Sequence, residues 1–176
     1  MVFYTSIAAP SSERFPSPKG AGEGLQLGWT ALPPSTESQA IDGYEILEHT
    51  ADVGLRARAP DITSLFEQAT RGLCEIAGIW QDALGTPVAI DVEARDRGGL
   101  LVDWLNEVLY VHDARNVAVC SVHVDEVSEK RARGRITVRP LGEGAETAIQ
   151  VKAVTYHQLD VRETPSGWSA TLFFDI

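Results

Sequence analysis

The sequence predicts an α+β domain: a layered sandwich with a pair of helices packed on sheet faces. Two stretches, one after Asp61 and one from Gly99, repeat apolar residues at helical spacing. About seven other runs read as strands, most of them following one another across short turns, which favours antiparallel neighbours. Each helix carries one apolar stripe that needs a sheet to cover it. The chain has 176 residues, 44% of them hydrophobic, which suits one domain with a real core.

The elements follow in order. Residues 1–42 differ from the rest: Ser, Pro and Gly dominate around Pro10–Gly24 and again from Pro33. Such composition buries too little apolar area to offset the entropy of ordering, so a disordered tail, or an over-extended translation start, is expected there. The folded domain is expected over 43–176. Tyr44–Glu48 is strand-like, 49–54 a turn, and Leu55–Ala59 extends again. Pro60-Asp61 leads into a helix in which Ser64 and Glu67 are spaced as a capping box and Gly78 is the stop. Val88–Glu93 alternates as a strand, Asp96–Gly99 turns, and a second helix runs from Gly99 to His112. Its apolar stripe is Leu101, Trp104, Leu105, Val108 and Leu109; Asp103, Asn106, Glu107 and Tyr110 lie opposite, as a solvated face or a docking surface. Strands follow at Val117–Val127, Arg131–Arg139, Ile149–Arg162 and Trp168–Ile176, with a loop at 143–146 and a turn at 165–167.

Charge limits the function. The net charge is −10, and a protein that grips nucleic acid by itself displaces cations from phosphates and is normally basic. Any dealings with RNA are therefore expected through a basic partner or a local patch. Cys74 and Cys120 sit in apolar periodic segments and read as small buried hydrophobes, since two cysteines supply neither a disulfide framework nor a zinc site. No apolar run reaches the roughly 20 residues of a membrane span, and the N-terminal residues lack a signal-peptide pattern. The expected compartment is the cytoplasm.

Several residues have the chemistry of a site. Asp52, in the turn His49-Thr-Ala-Asp-Val-Gly54, reads either as an Asx-turn residue or as an oxygen ligand at the end of a sheet. Glu48 and His49 flank it, each with an ordinary structural reading beside a liganding one. At the other end of the chain, Asp175 is followed by Ile176. A side-chain carboxylate next to an α-carboxylate repels unless a cation neutralises the pair. With Asp52 these groups would form a set of hard oxygen donors, suited to calcium or magnesium rather than zinc. The plain alternative is a strand that ends at the surface. In Val151-Lys-Ala-Val-Thr-Tyr-His157, alternation sets Lys152, Val154 and Tyr156 on one face, where Lys152 and Tyr156 could hold a phosphate or a carboxylate. His157, on the other face with Ala153 and Thr155, could act in acid–base chemistry. No phosphate-cradling glycine motif stands between a strand and a helix, and no Ser or Cys nucleophile is placed beside a His by a local signature.

Five segments together resemble the archease family: His49-Thr-Ala-Asp-Val-Gly54, Ser64-Leu-Phe-Glu-Gln-Ala69, Leu100-Leu-Val-Asp-Trp-Leu-Asn-Glu107, Val151-Lys-Ala-Val-Thr-Tyr-His157 and Asp175-Ile176. They cover nearly all of 43–176, in order and at fitting spacing; residues 1–42 have no counterpart. The resemblance implies a three-layer β-α-β sandwich, with the helices between sheets. It implies a divalent-metal site at Asp52, Asp175 and Ile176, and no catalytic residue of the chain's own. It further implies an accessory role: activating an RtcB-type RNA ligase by promoting its guanylylation and multiple turnover in tRNA splicing and RNA repair. Two other readings stay open at this point. One is a metal-dependent hydrolase of nucleotides or RNA ends, with His157 as base and Lys152 as electrophile. The other is a chaperone-like binding module without a metal.

Overall fold

A computed structural model describes residues 42–48, 53–142 and 149–176. The expected tail, the loop at 143–146 and residues His49–Asp52 lie outside the described residues. Seven strands and two helices follow one another as β1 (Gly43–Glu48), β2 (Val53–Ala59), α1 (Ile62–Ile76), β3 (Thr86–Glu93), α2 (Arg97–Arg115), β4 (Val117–Val127), β5 (Arg131–Pro140), β6 (Ala153–Thr164) and β7 (Gly167–Asp175). One sheet has the order β1-β2-β7-β6 and the other β3-β5-β4, with every strand pairing antiparallel. Among the described residues both helices pack on strands of both sheets, and no strand of one sheet comes close to a strand of the other. The result is the expected three-layer sandwich with the helices as its filling.

Strand alternation sorts the core. Leu55, Ala57 and Ala59 of β2 and Ala170, Leu172 and Phe174 of β7 point inward from one sheet, and Ala132, Ile136 and Val138 of β5 from the other. Between them α1 buries Leu65, Phe66, Ala69 and Leu73. On α2, Leu100, Leu101, Val102, Trp104, Leu105, Val108, Leu109 and Val111 are all buried. This corrects the single stripe expected for α2: a helix with a sheet on either side is apolar over more than half its circumference, and only a narrow polar strip reaches the surface. At the centre, Trp104 meets Phe66 edge to face, with centroids 6.2 Å apart. Trp104 Nε1–H donates to Thr70 Oγ1 at 2.9 Å, and the Thr70 hydroxyl donates to Phe66 O at 2.7 Å. Thr70, the one buried polar side chain among the described residues, thus both donates and accepts.

Several element ends differ from the expected ones, for local reasons. Helix α1 is capped by Asp61, whose carboxylate accepts from Ser64 N–H at 2.8 Å, so Ser64 and Glu67 do not form the capping box. Glu67 Oε1 instead accepts from Val124 N–H at 2.8 Å and ties α1 to β4. Helix α2 begins at Arg97 under Asp96, two residues earlier than expected, and runs to Arg115, where Asn116 ends it at φ 50°. The two glycines that read as a turn are inside its first turn, where Asp96 accepts from Gly99 N–H at 2.8 Å. The expected long strand from Ile149 starts only at Ala153, and its pairing with β7 shifts register between Thr155 and Asp160. Gln158, at φ 50°, is the kink.

Cys74 and Cys120 are buried and unpaired, and burial raises both thiols. Among the described residues no helix is long and apolar enough to cross a membrane.

Candidate functional site at the end of the four-stranded sheet

The segments singled out in the sequence meet at one end of the four-stranded sheet. There Glu48 pairs with Val53, Val53 with Phe174, and Ala153 with Asp175. Leu172 and Phe174 point to the helices, so Phe173 and Asp175 take the outer face. Asp175 and Ile176 are exposed, and Ile176 is 43% accessible. Lys152 N–H donates to Asp175 O at 2.8 Å, carrying the β6–β7 pairing one step beyond the strand. Lys152 Nζ donates to Ile176 O at 3.0 Å. An ammonium therefore offsets part of the negative charge gathered at Asp175–Ile176.

Beside this edge Phe173 is only 9% exposed although it lies on the outer face. Gly54 makes room for its ring: a Cβ there would stand 3.0 Å from Phe173 Cε1 and 3.2 Å from Leu47 Cβ. The His157 ring covers it from the other side, edge on, with centroids 6.0 Å apart. Thr155 Oγ1–H donates to Phe173 O at 3.2 Å, and His157 N–H donates back to Thr155 Oγ1 at 3.3 Å. In the neutral ring the Gln158 amide donates to His157 Nε2 over 3.0 Å.

Lys152, Asp175 and Ile176 thus stand together, with His157 nearby on the same sheet. Tyr156 does not join Lys152 as alternation suggested. Val154 between them is core, and Tyr156 leans toward the first turns of α2, into a hollow shared with Gly99, Asp96 and Asp103. The β1 backbone places Glu48, while His49 and Asp52 lie outside the described residues. Among the described residues no group of three or more His, Cys, Asp or Glu side chains is arranged to hold a metal ion. Asn106 is a positioning residue that pattern reasoning missed. Its side chain accepts from Val154 N–H at 2.9 Å and donates to Val154 O at 3.2 Å, stapling β6, and with it the Lys152 corner, to α2. In the sequence it shared a polar face with Asp103 and Glu107, and nothing distinguished it from them.

Comparison with known proteins identifies the family. Residues 44–176 match the archease protein family. The chain belongs to the archease family. It is 32% identical over 139 residues to protein archease of Methanosarcina barkeri, covering 76% of this chain and 95% of that protein. Protein archease of Pyrococcus furiosus is 30% identical over 140 residues, with 76% and 98% covered. The solution structure of Methanobacterium thermoautotrophicum protein 1598 superposes with a TM-score of 0.60 at 29% identity, covering 77% of this chain and all of that one. The archease match spans both sheets and both helices, and it contains every motif quoted above.

Proposed function

We propose that this chain is a non-catalytic accessory protein that activates an RtcB-type RNA ligase, promoting its guanylylation and multiple turnover in tRNA splicing and RNA repair. The observation that carries the reading is family membership over residues 44–176. In the same reading a divalent cation, calcium or magnesium, is held by Asp52, Asp175 and Ile176. Two features support that donor set. Asp175 and Ile176 offer only hard oxygen donors, at an exposed strand end where a cation could enter. Val53, which follows Asp52 in the chain, pairs with Phe174, which precedes Asp175.

In this reading Lys152 orients the Ile176 oxygen, and Phe173 packed under His157 keeps the strand ends rigid beside it. The cation would supply concentrated positive charge on an otherwise acidic surface. The net charge of −10 leaves contact with RNA to the ligase. Glu48, His49, Lys152 and His157 are the residues proposed to face the ligase; Tyr156, in the hollow beside α2, is not among them. The test is an RNA-joining assay with limiting ligase, GTP and a divalent metal. Addition of the chain is expected to convert a single round of joining into many rounds, and Asp52→Ala or Asp175→Ala to remove the gain. Unchanged product per ligase molecule would overturn the proposal.

A further inference from the structure

The acidic side chains of this protein are not all alike. On the three-stranded sheet Arg131 pairs with Asp91 and Glu93, Arg133 with Glu126, and Arg135 with Asp125. The polar strip of α2 lacks such partners. Asp103 and Glu107 are half-buried, and among the described residues no cation stands within ion-pair distance of either. A carboxylate that loses hydration without gaining a counter-ion carries a cost that an incoming cation relieves. Asp103, Glu107 and Tyr110 recur at i, i+4 and i+7, so they share one face and extend about 10 Å along the helix.

Two large aromatic rings lie open on the same surface. Tyr110 is 64% exposed and Tyr156 62%. Tyr156 belongs to the neighbouring strand β6, and its hydroxyl oxygen would stand 3.7 Å from a Cβ at Gly99. It lines a hollow of about 390 Å³ with Ala94, Arg95, Asp96, Gly99 and Asp103. Partial burial, then the carboxylates of Asp103 and Asp96, hold the Tyr156 phenol above its usual value. Arg95 borders the hollow without forming an ion pair to these carboxylates. Carboxylates repel nucleic acid, and tyrosine faces attract guanidinium and ammonium groups.

We propose that Asp103, Glu107 and Tyr110 of α2, with Tyr156 of β6, form a docking surface for a short arginine- or lysine-bearing segment of a partner protein. The carboxylates take the cationic heads and the tyrosines take the alkyl stems and planar faces. The surface lies on the helix side of β6, away from the outer face that carries Asp175, and it does not depend on the metal reading.

The test uses the full chain and, as probe, an eight-residue peptide of alternating arginine and glycine, titrated by NMR at near-physiological salt. Saturable shifts are expected at Tyr110 and Tyr156. Asp103→Asn combined with Glu107→Gln is expected to weaken binding at least about tenfold, since close, partly desolvated charges matter most. The charge-matched pair Glu93→Gln and Glu126→Gln is expected to weaken it less than about twofold, because rim charges act mainly through the general field. Equal weakening by the two pairs would show attraction to net charge alone and overturn the proposal. So would an absence of saturable shifts at the two tyrosines.

Discussion

Replacing Asn106 by Ala tests how the helical layer holds the edge of the four-stranded sheet. The amide makes two hydrogen bonds to one residue, accepting from Val154 N–H at 2.9 Å and donating to Val154 O at 3.2 Å. Val154 is 3% exposed, so its main chain has little access to water once the amide is gone. A typical hydrogen bond contributes about 1 kcal/mol net, and a buried group left without a partner costs about 1–3 kcal/mol. Asn106 is itself only half-buried, which lets some water in and sets the expected loss near 2 kcal/mol. In a domain of this size that lowers Tm by roughly 6–10 °C. Urea unfolding should show the loss as a shift in midpoint at unchanged slope. Amide exchange should show Val154 and its β6 neighbours losing protection before the rest of the sheet. A loss below about 0.5 kcal/mol with Val154 still protected would refute the reasoning, because water would then replace both bonds at no cost.

Three further substitutions probe the packing elsewhere in the domain. Thr70→Val leaves Trp104 Nε1–H without its 2.9 Å acceptor at a site that is 0% exposed, and should cost about 2 kcal/mol by urea unfolding. Gly134→Ala places a Cβ 2.3 Å from His123 O and 2.9 Å from Trp104 Cη2. The carbonyl cannot swing away, so about 2 kcal/mol or more should be lost, with altered Trp fluorescence. Asp61→Ala removes the α1 cap and should cost about 1 kcal/mol at neutral pH. Hydrogen bonds from Ser64 N–H and then the Thr63 hydroxyl hold the folded Asp61 carboxyl below its usual value. Its contribution is therefore complete above the ordinary carboxylate range and lost as pH falls through the folded value, so the gap to wild type should close in acid.

Much of this fold was legible because period and punctuation agree. Alternation located β2, β4, β5 and β7 to within a residue or two, and helical spacing located both helices. What escaped depends on contacts between distant segments. Whether Asp61 or Ser64 caps α1 turns on Glu67, which leaves the helix end to reach Val124. Gly98 and Gly99 read as a turn because glycine disfavours helix interiors, yet Asp96 caps the helix just before them. The break in the expected long strand follows from a register shift at Gln158 that no composition signals. Of the candidate site, only the adjacency of Asp175 and Ile176 is legible in the sequence; that Lys152 joins them, bonded to Ile176 O, depends on strand pairing between distant segments. Tyr156 shares a role with Lys152 only if alternation extends back to a residue that lies before β6 begins at Ala153.

In the proposed function the oxygen donors at the end of the four-stranded sheet serve a ligase rather than a reaction of the chain's own. The most direct measurement is the rate of covalent guanylylation of an RtcB-type ligase by labelled GTP, with no RNA present, with and without this chain. The wild-type chain is predicted to raise that rate in the presence of calcium or magnesium, and Asp175→Ala, folded normally by circular dichroism, to leave it at the level of the ligase alone. An equal rate with and without the wild-type chain, or full stimulation by Asp175→Ala, would overturn that proposed function.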